Sequence, residues 1–490
     1  MTAKLLNDSK VSNSNEESFS HLVEQKVLSL RRNIISERAD KIADVVYRSV
    51  NVILDKVSEL EPRFTVSEIL KVGSYFEGTK IDKIDEFDFL VVIKELSKPG
   101  AIHLNKIPDV FDEGYLIYTA EPGMVQIKLQ DDDLKIKWRK YVVDDFLTGF
   151  HHPTDIHKRR QGFGSLILES IKIFAKTQHE WRNLFFEPGV NMFFNRGGLT
   201  LLSISDSERV ILKTAEVHHP NTVLELKYDG SRISVDLSPA IRYDRVEDCF
   251  EAGDCVDERL AAAVLDRGSI LLVAKQGNYF RITFTETEVK FMRDKIHGVH
   301  KLIYMYLKYI KCLYAKQASQ PDVHPFSSYM LKMVCIHHDM RCTSENKTVS
   351  KCLDEVLDLM ADYCEKDDLP NVFNTRLTYL DIRDTESEYR LCMLDGLRKI
   401  KELAVENPTE AYFNEVIKDV VEQSANTFDV TREMRFKKAD RAERRFRAEC
   451  ERLRKVNESE TSKDCLPGSM LSQRETDVLQ TVTCEPRLAH

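Results

Sequence analysis

Strand-like alternation of apolar and polar residues stops at Thr285, and every periodic segment after it repeats at helical spacing. Before that point, runs over 68–72, 87–93, 114–119, 125–127, 199–204, 222–228, 232–237, 269–274 and 279–284 read as strands, interrupted by a helix around 165–181. After it, 286–316, 327–340, 349–364, 387–405 and 410–424 read as helices, with Pro321, Pro325 and Pro370 between some of them. Ahead of the strands, apolar residues from Leu22 to about Leu60 recur as one long amphipathic helix. Strands followed by helices specify an α+β chain: a mixed sheet, then an all-helical lobe.

With 490 residues and 42% hydrophobic composition, the chain has room for two or three cores. The expected organisation is a polar disordered tail over 1–18, a core with the long helix over 19–290, a helical lobe over 291–428, a charged helix over 429–456 and a disordered tail over 457–490. No apolar run approaches the ~18–20 residues of a membrane span, and the polar start lacks a secretory signal, so a cytoplasmic protein is expected, with the nucleus as the alternative. Eleven cysteines, all from Cys249 onward, make no disulfide framework and read as reduced thiols. A net charge of −9 gives no global attraction to nucleic acid, which would need a local basic face.

The chemistry concentrates in "GSYFEGTKIDKIDEFDFLVVI", residues 73–93. Asp85, Glu86 and Asp88 directly precede an apolar run, and on a strand Glu86 and Asp88 share one face while Phe87 and Phe89 take the other. Close carboxylates repel unless a cation neutralises them, and hard oxygen ligands suit Mg²⁺. In "SRISVDLSPAI", Asp236 shares a face with Ser234 and Ser238 and is the lone acid of an otherwise apolar pattern. Gly73-Ser74 ends a strand with a glycine that lets backbone approach a phosphate closely. Taken singly, each of these is more often a charged strand end or a turn; their conjunction points to a nucleoside triphosphate with Mg²⁺.

With "FRITFTETE" at 280–288, "PFSSYMLK" at 325–332 and "NRGGLTLL" at 195–202, the sequence resembles the Mab-21-like branch of the polymerase-β-type nucleotidyltransferases, and within it the cyclic GMP–AMP synthase-like receptors. The similarity covers roughly residues 20–425, and "NRGGLTLL" lacks the proline that usually follows the glycines. The resemblance implies an α+β fold with a nucleotidyltransferase mixed sheet, a long N-terminal spine helix and a helical lobe. It implies that Glu86, Asp88 and Asp236 are catalytic and hold two Mg²⁺ ions, Mn²⁺ being possible, and that Gly73, Ser74, Ser328 and Lys308 contact phosphates, with Lys311 the rival of Lys308. Tyr329 would stack on a base, Arg281, Thr283 and Glu288 would line the other nucleotide's pocket, and Ser238 would read a base edge. The bland alternatives are a packing aromatic for Tyr329, a surface ion pair for Arg281 and a helix N-cap for Ser328.

The implied function is a nucleic-acid-activated synthase that makes a cyclic dinucleotide from ATP and GTP, or other nucleoside triphosphates, in innate immunity and antiviral defence. The alternatives are a linear-product enzyme resembling oligoadenylate synthase and a non-catalytic Mab-21-like binding protein. The segment 75–85 is expected to be a mobile activation loop. Lys26, Arg31, Arg32, Arg38, Lys41 and Arg48 are the candidate nucleic-acid contacts, with "KIKWRK" at 135–140 and "HKRR" at 157–160 as contributors; the bland reading is a solvated face. The insertion of one His and three Cys that binds zinc in vertebrate DNA-sensing members is absent, so no zinc is expected and double-stranded RNA is favoured over double-stranded DNA as activator. Cys335, His338 and Cys342 share one helical face, but no fourth ligand is evident and they read as packing groups.

Overall fold

The computed structural model describes residues 2–106, 123–150, 162–178, 184–187, 191–194, 198–205, 208–218, 221–275, 278–317, 326–343, 347–366, 368–378 and 387–424. The chain divides into two compact units, Met1–Asn426 and Thr427–His490. The second, with the expected charged helix and tail, lies outside the described residues, as do the expected strand over 114–119 and "HKRR".

Helix α1 (Thr2–Arg31) starts within the polar stretch expected to be a tail, and Phe19, Leu22, Val23 and Val27 are buried along it. Helix α2 (Glu37–Leu60) is separate, so the single helix expected over 22–60 is corrected to two. Ser36 makes the break: its extended backbone leaves the helix and its side chain accepts a hydrogen bond from the Ala39 N–H, with Glu37 and Asp40 in the first turn to meet the helix dipole. The apolar stripe Ile42, Val45, Val46, Ile53, Leu54 and Val57 is buried.

Strands β1 (Val66–Val72) and β2 (Glu86–Ile93) flank a single helical turn, α3 (Gly73–Phe76). The strands β3 (Ile102–Lys106) and β4 (Met124–Leu129) lead to α4 (Asp132–Trp138), a ribbon of β5 (Val142–Val143) and β6 (Phe146–Leu147), and α5 (Phe163–Thr177). Next come β7 (Leu184–Glu187), β8 (Asn191–Phe194), β9 (Leu199–Ser203), β10 (Arg209–His218), β11 (Asn221–Tyr228) and β12 (Ser231–Tyr243). After α6 (Glu258–Arg267), β13 (Ile270–Ala274) and β14 (Phe280–Thr283) complete a sheet of twelve described strands. Its main path runs β3-β4-β14-β13-β12-β11-β10-β8-β7, with β2 bridging β1 and β12, and β9 on β10. The aromatic rings of Trp138, Tyr141, Phe150 and Phe163 gather around Phe64 at 5.3–5.8 Å and anchor α4 and α5.

Strand β12 is the organiser. Its first half pairs antiparallel with β11 through an Asp229-Gly230 turn whose two residues both have positive φ, as a tight hairpin requires. Its second half pairs with β13, and Pro239, which has no N–H to give a ladder, falls in the gap between these two neighbours. Along its other edge β12 runs parallel to β2, the one parallel pairing among the described strands.

Helices α7 (Thr285–Asp294), α8 (Gly298–Gln317), α9 (Ser328–Arg341) and α10 (Val349–Lys366) follow, then a ribbon of β15 (Pro370–Asn371) and β16 (Asn374–Thr378), α11 (Ser387–Glu406) and a last helix over 410–424. The run expected as one helix over 286–316 breaks at 295–297, where the His297 N–H turns to the Asp339 carboxylate at 3.0 Å. No helix among the described residues is long and apolar enough to cross a membrane.

Candidate active site

The parallel register pairs Asp236 with Asp88 and Ser234 with Glu86, so the acid in the middle of the sheet's longest strand lies beside the acid near the start of β2. Paired strands lie about 4.8 Å apart, which sets the two carboxylates on one face as neighbours. Both strands alternate as required: Phe87, Phe89, Ile233, Val235 and Leu237 are buried, while Asp88, Ser234, Asp236 and Ser238 are half-buried and Glu86 is exposed.

Gly73 is the closest backbone to this cluster. It holds φ +78°, and a Cβ there would stand 1.8 Å from Asp88 Oδ2, so no side chain fits at this position. Sequence and geometry agree that residue 73 must be glycine, because β1 turns directly over the acids.

Lys80, which the sequence reading did not single out, supplies the cluster's present counter-charge. Its ammonium lies 2.9 Å from Asp85 Oδ1 and 2.9 Å from Glu86 Oε2. Burial works against that charge, but Glu86 and Asp85 outweigh it and hold the lysine above its ordinary pKa. Lys80 also favours the charged form of Asp88, but burial, then repulsion from Glu86 and Asp236, outweigh it and push the carboxyl up to about 7. Burial and Glu86 raise Asp236 as well. The set of carboxylates fits a hard divalent cation, whose charge would offset the burial and repulsion that raise Asp88.

Folded Asp88 keeps its proton where the unfolded chain, with an ordinary value of 3.8, has lost it, so stability falls as pH rises from about 4 to about 7 and the cost stands in full above 7. Asp88→Asn is therefore expected to stabilise the protein by about 1–2 kcal/mol at pH 8 without added Mg²⁺ or Mn²⁺. The gain should shrink to nothing near pH 4, as read by urea unfolding at the two pH values.

A cavity of about 760 Å³ opens in front of the acids, lined by Gly73, Ser74, Lys80, Asp85, Glu86 and Asp88 from the sheet side and by Lys308, Lys311, Ser328, Tyr329 and Lys332 from α8 and α9. Asp236 and Ser238 lie on the same sheet face, outside that lining. Of the two rival lysines, Lys311 is the one beside Ser328, with its ammonium 3.2 Å from the serine Oγ. Lys308 is buried, donates to the Thr79 carbonyl at 3.3 Å, and is pushed down to about 8 by burial.

Four further pocket candidates lie on α7, α9 and β14. Glu288 is almost fully buried, with its carboxylate bound by Lys332 at 2.9 Å and by the Tyr329 hydroxyl at 2.9 Å, so it holds the helical lobe together and does not face the cavity. Tyr329 reaches the cavity, but its hydroxyl is fixed by Glu288 and Asn371 and the Lys332 ammonium lies 4.8 Å from its ring centre. Arg281 and Thr283, on β14, lie outside the cavity lining, and the Thr283 hydroxyl meets that of Thr285.

The segment 75–85, expected to be a mobile loop, is packed. Glu77, Thr79, Lys80 and Ile81 are buried, and the Asp82 N–H donates to the Leu30 carbonyl at the end of α1. Of the six basic candidates, five lie on α1 and α2 and Arg32 in the turn between them, and they form no continuous face. Lys26 bonds Asn414, Arg31 is half-buried, Arg38 pairs with Asp229, Lys41 with Glu208 and Arg48 with Asp44, and Arg32 is exposed. In "KIKWRK", Lys135, Lys137 and Lys140 pair with Asp132, Glu95 and Glu61, and Trp138 is buried.

Comparisons of the chain with models of known protein families and with curated proteins each returned no match.

Proposed function

We propose that the chain is a metal-dependent nucleotidyltransferase that joins ATP and GTP, or another pair of nucleoside triphosphates, into a cyclic dinucleotide messenger of innate immunity. The observation that carries this reading is the β2–β12 register, which makes Asp236 the neighbour of Asp88 on the face that Glu86 shares. Burial and the neighbouring Glu86 raise the proton affinity of Asp88 and Asp236 at a cost in stability, and a protein that merely bound a partner would gain nothing from that. The wider fold assignment, a polymerase-β-type sheet with a spine helix, is part of the same proposal and draws on the same pairing.

In this reading Glu86, Asp88 and Asp236 hold two Mg²⁺ ions, with Mn²⁺ as a substitute. When bound, the ions neutralise charge on the triphosphate and lower the proton affinity of the attacking sugar hydroxyl. Asp236 accepts that hydroxyl's proton. Lys311 and Ser328 hold phosphate oxygens from the helical side of the cavity, and Gly73 lets the backbone lie directly against the Asp88 carboxylate. Lys80, now paired with Asp85 and Glu86, is the cation whose place beside these acids the ions would take.

Double-stranded RNA is the proposed activator of this cytoplasmic enzyme, with double-stranded DNA the less favoured. The bond from Asp82 to Leu30 ties the segment carrying Lys80 to the end of α1, so a ligand that moves α1 is felt at the acids. Arg32, Arg38, Lys41 and Arg48 are the exposed cations near that end, and contact through them would weaken steeply with salt.

The test is incubation with the four nucleoside triphosphates, Mg²⁺, and duplex RNA or duplex DNA, followed by phosphatase treatment and chromatography. The expected result is a phosphatase-resistant cyclic product with RNA. Linear oligonucleotides would assign a linear-product enzyme instead, and no product under any condition would leave a binding protein.

A further inference from the structure

The helical lobe brings together four side chains that are far apart in the chain. His300 stands in the first turn of α8, His338 near the end of α9, Cys342 just past that end, and Cys352 in the first turn of α10. One donor atom from each lies within 4.8 Å of the others. His300 and Cys352 are fully buried and His338 is 5% exposed, so three of the four are shut away from water.

Two features mark this as more than packing. Nε2 of His300 and Nε2 of His338 are buried with no hydrogen-bond partner, the second standing 3.7 Å from Glu355 Oε2, and a buried ring nitrogen left unpaired is destabilising. On its other side, His300 offers Nδ1 to the Asp339 carboxylate at 2.5 Å. That is how a carboxylate orients an imidazole whose far nitrogen serves a metal, fixing the tautomer and raising the ligand's basicity.

We propose that His300, His338, Cys342 and Cys352 bind one structural Zn²⁺ ion. Two imidazoles and two thiolates are a standard tetrahedral zinc set, and their two negative charges cancel the ion's, which a site this buried needs. Binding forms two Zn–N and two Zn–S bonds and sends both thiol protons to solvent. Tetrahedral bonds of about 2.0–2.3 Å place ligand atoms about 3.3–3.8 Å apart, so closure asks the most distant pair to draw in by about 1 Å. Cys342, half-exposed at the end of α9, is the ligand with freedom to do so. Oxygen-seeking ions such as Mg²⁺ do not compete for this set.

The site joins three helices without an insertion. Cys335, which shares a helical face with His338 and Cys342, is buried elsewhere and is not a ligand; the missing partners were His300 and Cys352, from neighbouring helices. Eight residues separate His300 from Lys308, about 12 Å along α8. Zinc would therefore fix α8 and α9 behind the cavity, and this holds whether or not the cavity transfers nucleotides.

The test uses the full chain purified without added metal. About one zinc per chain by elemental analysis is expected, falling to near zero in Cys342→Ser and Cys352→Ser. Exchange of wild-type zinc for Co²⁺ should give a thiolate-to-cobalt charge-transfer band, with d–d absorption of tetrahedral strength; this readout needs no variant to fold. Asp236→Asn should keep its zinc. Zinc content unaffected by both cysteine substitutions would overturn the proposal. So would Co²⁺ spectra without a thiolate band, or a Cys342–Cys352 disulfide in a metal-free folded chain.

Discussion

Asp236→Asn is expected to lower nucleotidyl transfer by about 10³-fold or more while leaving the protein folded. The substitution keeps the size of the side chain and its place in β12, where Val235 and Leu237 hold the strand from the buried face. What it removes is one negative charge from a face where Glu86, Asp88 and Asp236 repel one another. Without Mg²⁺ the variant should therefore unfold at the same denaturant concentration as wild type, or slightly higher, because Asp88 loses a repelling neighbour. With Mg²⁺ and nucleotides it should lose catalysis, because an amide oxygen neither takes the hydroxyl proton nor balances a divalent charge. The split matters: a merely structural acid would give the opposite pattern, with activity per folded molecule kept and stability lowered. Full turnover by the variant would end the two-metal reading and leave the cavity as a binding pocket.

The acids were legible because strand alternation is a local rule. "EFDF" and "SVDLS" each declare which side chains share a face, and the structure keeps those faces. What no local rule supplies is the partner of a strand. Asp88 and Asp236 are 148 residues apart in number, and their pairing depends on β12 taking β2 on one edge and both β11 and β13 on the other. Strand β10 escaped notice for a related reason: its ladder with β11 bulges between Leu212 and Thr214, which puts the alternation out of phase halfway along. Ser36 ended a helix whose apolar stripe continues on the far side, so periodicity carried the expectation straight through the break.

Charge was harder to place than hydrophobicity. A lysine in sequence looks the same whether it ends in solvent or against a carboxylate. Lys80 sits within "GTKIDKIDE", where Lys83 is nearer the acids in sequence yet is exposed. Only the turn of the backbone after α3 decides between them. The basic residues of α1 and α2 met the same limit, since Asp229 and Glu208, the partners of Arg38 and Lys41, come from the sheet. His300 and Cys352 were invisible as zinc ligands because each belongs to a different helix from His338, and ligand spacing is readable only along one chain segment.

Lys332→Met is expected to cost about 3–5 kcal/mol of stability, the largest loss from a single side chain in the lobe. The lysine is 6% exposed and lies 2.9 Å from both Glu77 and Glu288, which are 3% and 1% exposed. Burial disfavours its charge, but the two carboxylates more than compensate and hold it protonated. Methionine fills nearly the same volume, so the loss would not come from a cavity. It would come from two carboxylates left buried together with no cation between them. One is from the turn after α3 and the other from α7, while the lysine is from α9, so the triad is where the segment beside the acids meets the helical lobe. Chemical unfolding should show the loss at pH 7 and a smaller one at low pH, where protonation relieves the orphaned acids. Adding Glu77→Gln and Glu288→Gln to Lys332→Met should recover a large part of it, since three neutral side chains carry no unpaired charge. A lone Lys332→Met that unfolds like wild type would mean that water or a rearranged Tyr329 hydroxyl satisfies both acids, and that the lobe is held to the sheet by hydrocarbon contacts alone.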